Sequence, residues 1–145
     1  AARCECGELE LRIKGSPVVQ LVCHCSDCRA FTGLPYSESA FFIADDCSVL
    51  GQSHSETLKC ATGFKKTHHM CASCETPLYV TVGALNGAFA IMAERLSPFD
   101  FKPQAHIWTD EKVDGVSIPP GATQSTGAPP KELVDLMVSS FWRKL

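Results

Sequence analysis

Seven of the chain's cysteines fall in three tight clusters, and this crowding constrains the fold more than any other feature. Cys4 and Cys6 are one residue apart. Cys23, Cys25 and Cys28 lie within six residues, and two residues separate Cys71 from Cys74. The total is nine, an odd count that cannot pair off within one chain. Spacings this short present thiolates to a single ion rather than laying out a disulfide framework. At 145 residues the chain is also long enough to build a core without covalent staples. The pattern therefore points to metal-bound thiolates in a reducing compartment, the cytoplasm.

Sorting by neighbourhood gives two groups. Cys4 and Cys6 with Cys71 and Cys74 make a four-thiolate set that closes a tetrahedral zinc site and pins the N-terminal strand to a mid-chain hairpin. Cys23, Cys25 and Cys28 supply three ligands and leave one position open, the pattern of a catalytic zinc. Three alternatives stand beside this sorting. His24, His68 or His69 could complete the triple, His24 least well because both its neighbours would be ligands. Cys4 and Cys6 could serve the triple instead, or the triple could be a metal-free redox cluster. Cys47 and Cys60 stand alone and read as small buried apolar groups.

The rest of the sequence is mostly short strands. Alternation of Leu9, Leu11 and Ile13 with charged residues predicts a half-buried strand within GELELRIKG. Further strands are expected at Val18 to Val22, Tyr36 to Ala44, Ser48 to Leu50, Glu56 to Ala61, Lys65 to Met70, Pro77 to Val82 and Ala88 to Met92. Ser26 is placed to cap a short helix after the triple, closed by Gly33. Five of the nine prolines lie between Phe101 and Pro130, which reads as an irregular wrap too short for its own core. The period then changes. Leu133, Leu136, Met137, Ser140 and Phe141 share one face of a C-terminal helix, with Arg143 and Lys144 suited to its end. The class is mainly β with a little helix, organised as one domain over residues 1–145.

Charge excludes some partners. A formal net charge of −3 gives no electrostatic reason to expect nucleic acid. The small basic group Lys65, Lys66, His68 and His69 reads as a solvated strand end. No apolar run approaches the roughly 18 residues of a membrane span, and no signal-peptide pattern is visible after Ala1. Asp27 and Arg29 read as helix charges with surface partners.

CECG (Cys4 to Gly7), CHCSDCRAFTG (Cys23 to Gly33) and CASC (Cys71 to Cys74) resemble, in order and spacing, the glutathione-dependent formaldehyde-activating enzyme family. IADDCSVLGQ (Ile43 to Gln52), VGALNG (Val82 to Gly87) and PQAHIW (Pro103 to Trp108) add weaker likenesses. The resemblance covers about Arg3 to Trp108 and implies a β-tent, two antiparallel sheets meeting over zinc. It implies a structural zinc at Cys4, Cys6, Cys71 and Cys74 and a second zinc at Cys23, Cys25 and Cys28. The implied activity is that of a carbon–sulfur lyase joining a small thiol, glutathione, to formaldehyde as S-hydroxymethylglutathione. A non-catalytic zinc-stabilised binding module is the alternative, with the C-terminal helix as its contact surface. The chain departs from the family pattern after CASC, where Glu75 replaces a usual Gly, and before it, where His69 and Met70 replace a usual Arg and Phe. The missing Gly predicts a different turn beside the first site.

Overall fold

The computed structural model describes residues 1–59 and 64–142. Its strands are β1 (Ala2–Arg3), β2 (Glu10–Ile13), β3 (Val19–Cys23), β4 (Ser37–Phe42), β5 (Cys47–Leu50), β6 (Ser53–Lys59), β7 (Lys65–Cys71), β8 (Pro77–Val82), β9 (Ala88–Met92) and β10 (Ala105–Ile107). Helix α1 covers Ser26–Thr32 and α2 covers Lys131–Phe141. The strands form a three-stranded sheet, β1-β2-β5, and a seven-stranded sheet, β10-β3-β4-β9-β8-β7-β6. Every pairing is antiparallel except that of β10 with β3.

The larger sheet is covered on both faces along β3, β4, β8 and β9, because these strands carry two apolar sets at period two, whereas β6 at its edge is mostly exposed. One face supplies Phe42, Tyr79 and Ile91, which pack with Leu9 and Leu11 from the small sheet. The opposite face supplies Val19 and Leu21, which meet Met137 and Phe141 of α2, and Val80, Ala90 and Met92, which meet Phe31 of α1. Each fully buried Leu or Ile contributes about 1.5–3 kcal/mol. The connection from β5 to β6 passes hard against residues 8 and 9. A Cβ on Gly51, whose φ is 98°, would lie 2.0 Å from the Glu8 carbonyl oxygen. Only glycine fits there.

The strand expected within GELELRIKG is shorter than its alternation, because residues 4–9 are taken up by a cysteine knuckle and pairing starts at Glu10. The wrap after Pro98 is less irregular than expected. It contains β10, and residues 123–127 run parallel alongside that strand and its end: the His106 N–H donates to the Thr123 carbonyl at 2.8 Å and the Trp108 N–H to the Gly127 carbonyl at 2.9 Å. This stretch leads into Pro129-Pro130 and α2. The packed face of α2 is Leu133, Val134, Met137 and Phe141, whereas Leu136 faces solvent at 40% exposure. Two side chains tie its end to the β8–β9 turn. Asn86 Nδ2 donates to the Phe141 carbonyl at 3.0 Å, and Trp142 Nε1 donates to the Ala84 carbonyl at 2.9 Å. Arg143, Lys144 and Cys60 lie outside the described residues. Among the described residues no helix is long and apolar enough to cross a membrane.

Candidate metal and ligand site

Cys4, Cys6, Cys71 and Cys74 converge, with all four Sγ atoms within 4.8 Å of one another. Cys4 and Cys6 Sγ are 3.5 Å apart, and Cys6 and Cys71 Sγ are 3.6 Å apart. These spacings are far from the roughly 2.05 Å of a disulfide. They are close to the ~3.8 Å edge of a tetrahedron built on Zn–S bonds of about 2.3 Å. Backbone N–H groups point at the sulfurs. Leu9 donates to Cys4 Sγ at 3.3 Å and Ser73 to Cys71 Sγ at 3.4 Å. Such donors favour thiolates. The Thr76 hydroxyl, 3.0 Å from Cys74 Sγ, draws that thiol down to about 5. The same hydroxyl accepts from the Glu5 backbone at 3.2 Å, and Ser73 Oγ bonds Glu8, so both halves of the cluster are stitched together.

The turn after CASC is made without glycine. Glu75 itself takes a φ of 60°, the left-handed region that glycine occupies freely. Its N–H closes the turn on the Cys71 carbonyl at 2.9 Å. Glu75→Gly is expected to raise stability by about 0.5–1 kcal/mol, since the left-handed penalty of ~1–2 kcal/mol exceeds the extra chain entropy glycine loses. Thermal unfolding should show a gain of a few degrees, and a fall would remove the strain argument.

Cys23, Cys25 and Cys28 form the second group. Cys23 ends β3, Cys25 precedes α1, and Cys28 lies in the first turn of α1. The helix cap is Cys25, not Ser26 as expected. Its Sγ accepts the Cys28 N–H at 3.4 Å, while the Ser26 N–H goes to Glu111 Oε1 at 3.0 Å. A sulfur in the cap position is fixed by the helix start itself. The thiols of Cys23, 3.4 Å away, and Cys28 donate to Cys25 and hold it down to about 2, while the same contacts push Cys23 up.

The two groups are not crossed, because Cys4 and Cys6 sit with Cys71 and Cys74. Among the described residues no histidine comes within 4.8 Å of all three sulfurs of the triple. His24 is buried and turned the other way, with Nε2 3.1 Å from Nδ1 of His106 on β10. His69 holds Ser55 at 2.8 Å and Thr81 at 2.9 Å and stacks on Tyr79. Cys47 is half-buried against the inter-sheet core, and burial pushes its thiol up to about 11.

Beside the triple lies a cavity of about 610 Å³ between the larger sheet, α1 and α2. Sequence reading missed the residues that join this cavity to the triple. His68 and Lys66 were expected at a solvated strand end, but both line the cavity. His68 is 4% exposed, its ring 4.3 Å from that of Phe31, and burial pushes its pKa down to about 4. Lys66 Nζ pairs with Asp27 of α1, another lining residue, at 3.3 Å. The available signal was strand periodicity, which puts residues 66 and 68 on one face. Arg29 turns back to the His24 carbonyl at 3.4 Å.

Comparison with known proteins adds a family and a fold. The profile described as glutathione-dependent formaldehyde-activating enzyme matches residues 1–111. A crystal structure of a Rhodobacter sphaeroides protein, a structural-genomics target, is similar in fold with a TM-score of 0.52 at 19% identity. The match covers 68% of this chain and 89% of that one. No curated protein matches the chain.

Proposed function

Because the chain belongs to the glutathione-dependent formaldehyde-activating enzyme family, we propose that it is a zinc-dependent carbon–sulfur lyase acting on a small thiol–aldehyde adduct, such as S-hydroxymethylglutathione. We read its two sheets as a β-tent, with Cys4, Cys6, Cys71 and Cys74 holding a structural zinc and Cys23, Cys25 and Cys28 a second one. One observation carries the catalytic reading: three thiols, not four, converge on the wall of a ligand-sized cavity. A closed second site would have favoured a non-catalytic module, but no histidine joins the three among the described residues.

The reaction is R–SH + R′CHO ⇌ R–S–CH(OH)R′. A C–S bond forms, the carbonyl π bond becomes the new C–O–H group, and the thiol proton ends on that oxygen. Bound at the triple, zinc would supply charge that lowers a thiol pKa and polarises a carbonyl. The chain's own residues set the rest. The α1 cap fixes Cys25 and so orients the site. The largely apolar lining beside the triple disfavours water there. His68 lines the same cavity, and burial pushes its pKa down to about 4, so it stands there as a neutral, weakly basic imidazole that adds no charge to the site. The clustered thiols suit the cytoplasm.

Elemental analysis of the purified protein should give two zinc per chain. Exchange NMR on a panel of thiol–aldehyde pairs, glutathione with formaldehyde among them, should show at least one adduct forming faster than in buffer. With two zincs bound and no acceleration for any thiol–aldehyde pair, the assignment as a lyase would fall.

A further inference from the structure

The cavity beside the triple is only partly built from the family-matched residues. Phe31, Phe41 and Met92 come from that part, but Pro129, Val134 and Met137 close the cavity from the C-terminal segment, beyond residue 111. That segment is strapped down at both ends, by the parallel pairing along β10 and by the Asn86 and Trp142 ties. The wall it adds is apolar.

Charge is scarce inside. Lys66 is the single cationic side chain among the described lining residues, and it is paired with Asp27. The other charged lining residue is Glu111, a carboxylate. Glutathione carries two carboxylates and an ammonium. Moving its body into this cavity would take two carboxylates out of water against a mostly apolar lining whose charged groups are two carboxylates and one paired lysine, which is unfavourable. An uncharged hydrocarbon group meets no such penalty, and the volume is that of a drug-sized ligand.

We infer that the adduct handled at the triple carries a bulky, uncharged apolar group, aliphatic or aromatic, and that this cavity holds it. The inference rests on the carbon–sulfur reading above and names its substrate class. The group could sit on the aldehyde, with the thiol body left outside, or on the thiol. The chemistry recognised is the same.

The test uses the full chain with its metal bound. N-phenyl-1-naphthylamine, an uncharged apolar dye, should bind saturably at one per chain. It should be displaced by n-alkanals or n-alkanethiols and not by glutathione at equal concentration. Affinity in the alkyl series should rise about fourfold per methylene until the cavity fills. Val138→Glu places a carboxylate at an exposed edge of the lining and should weaken dye binding at least tenfold with the fold intact. In adduct assays, pairing glutathione with n-alkanals and formaldehyde with n-alkanethiols tells which partner bears the chain. Acceleration with glutathione and formaldehyde, but no dye binding and no chain-length effect, would overturn this inference and leave the lyase reading standing. Dye binding with the methylene trend, but no pair accelerated, would sink the lyase reading while the apolar ligand class survives.

Discussion

Cys71→Ser is expected to abolish the cooperative folding transition. Cys71 is fully buried at the end of β7. Its sulfur lies 3.6 Å from Cys6, and its backbone closes the turn that carries Cys74. Binding at a structural zinc supplies on the order of 10–16 kcal/mol, comparable to or larger than the 5–15 kcal/mol by which a typical domain is stable. Losing one of four thiolates removes most of that and leaves a buried hydroxyl among the remaining sulfurs. The measurement is near-UV circular dichroism with thermal unfolding, alongside wild type treated with a strong chelator. Both should lose the transition. A Cys71→Ser protein with the wild-type melting temperature would show that the four-thiol cluster is not what holds the N-terminus to the hairpin.

Cys25→Ser should do the opposite: inactivate without unfolding. Helix α1 has no fully buried residue, and its half-buried Phe31, which packs on Val80, Ala90 and Met92, is left in place by the substitution. Serine is among the best residues at a helix N-cap and keeps an acceptor for the Cys28 N–H. The expected loss of stability is about 1 kcal/mol or less. The triple, however, becomes a two-thiol site. Metal content should fall from two zincs to one, and adduct formation should slow by at least roughly a hundredfold, the scale of losing one preorganised electrostatic group. Dye binding in the cavity should persist. Full activity in this variant would remove the triple from the chemistry.

Both clusters these variants address were legible in the sequence. Both groupings follow from counting, and convergence of the four thiols across 65 residues is where β1, β2 and β7 place them. β8 and β9 match their expected spans because alternation and flanking glycines agree there. β1 and β10 escaped because strands of two and three residues show no period, and β10 is buried at every position. The α2 face was misread between Leu136 and Val134, neighbours that flank the true contact line, and only the packing partner decides between them. The cavity was not legible at all. Its walls come from strands, two helices and the late Pro129, which meet only in the folded chain.

The 65-residue separation within the first cluster also sets an order of events during synthesis. The triple is contained within six residues and is complete once Cys28 has emerged. Cys4 and Cys6 must wait for Cys71, roughly 3–13 s at about 5–20 residues/s. For that interval the nascent chain presents two thiols without their partners, exposed to oxidants and to stray metal. Closing a loop of this length carries an entropic cost that six-residue closure does not. The four-thiol cluster is thus completed later and is the more vulnerable on the way, whereas the triple, though not the cavity beside it, is complete first.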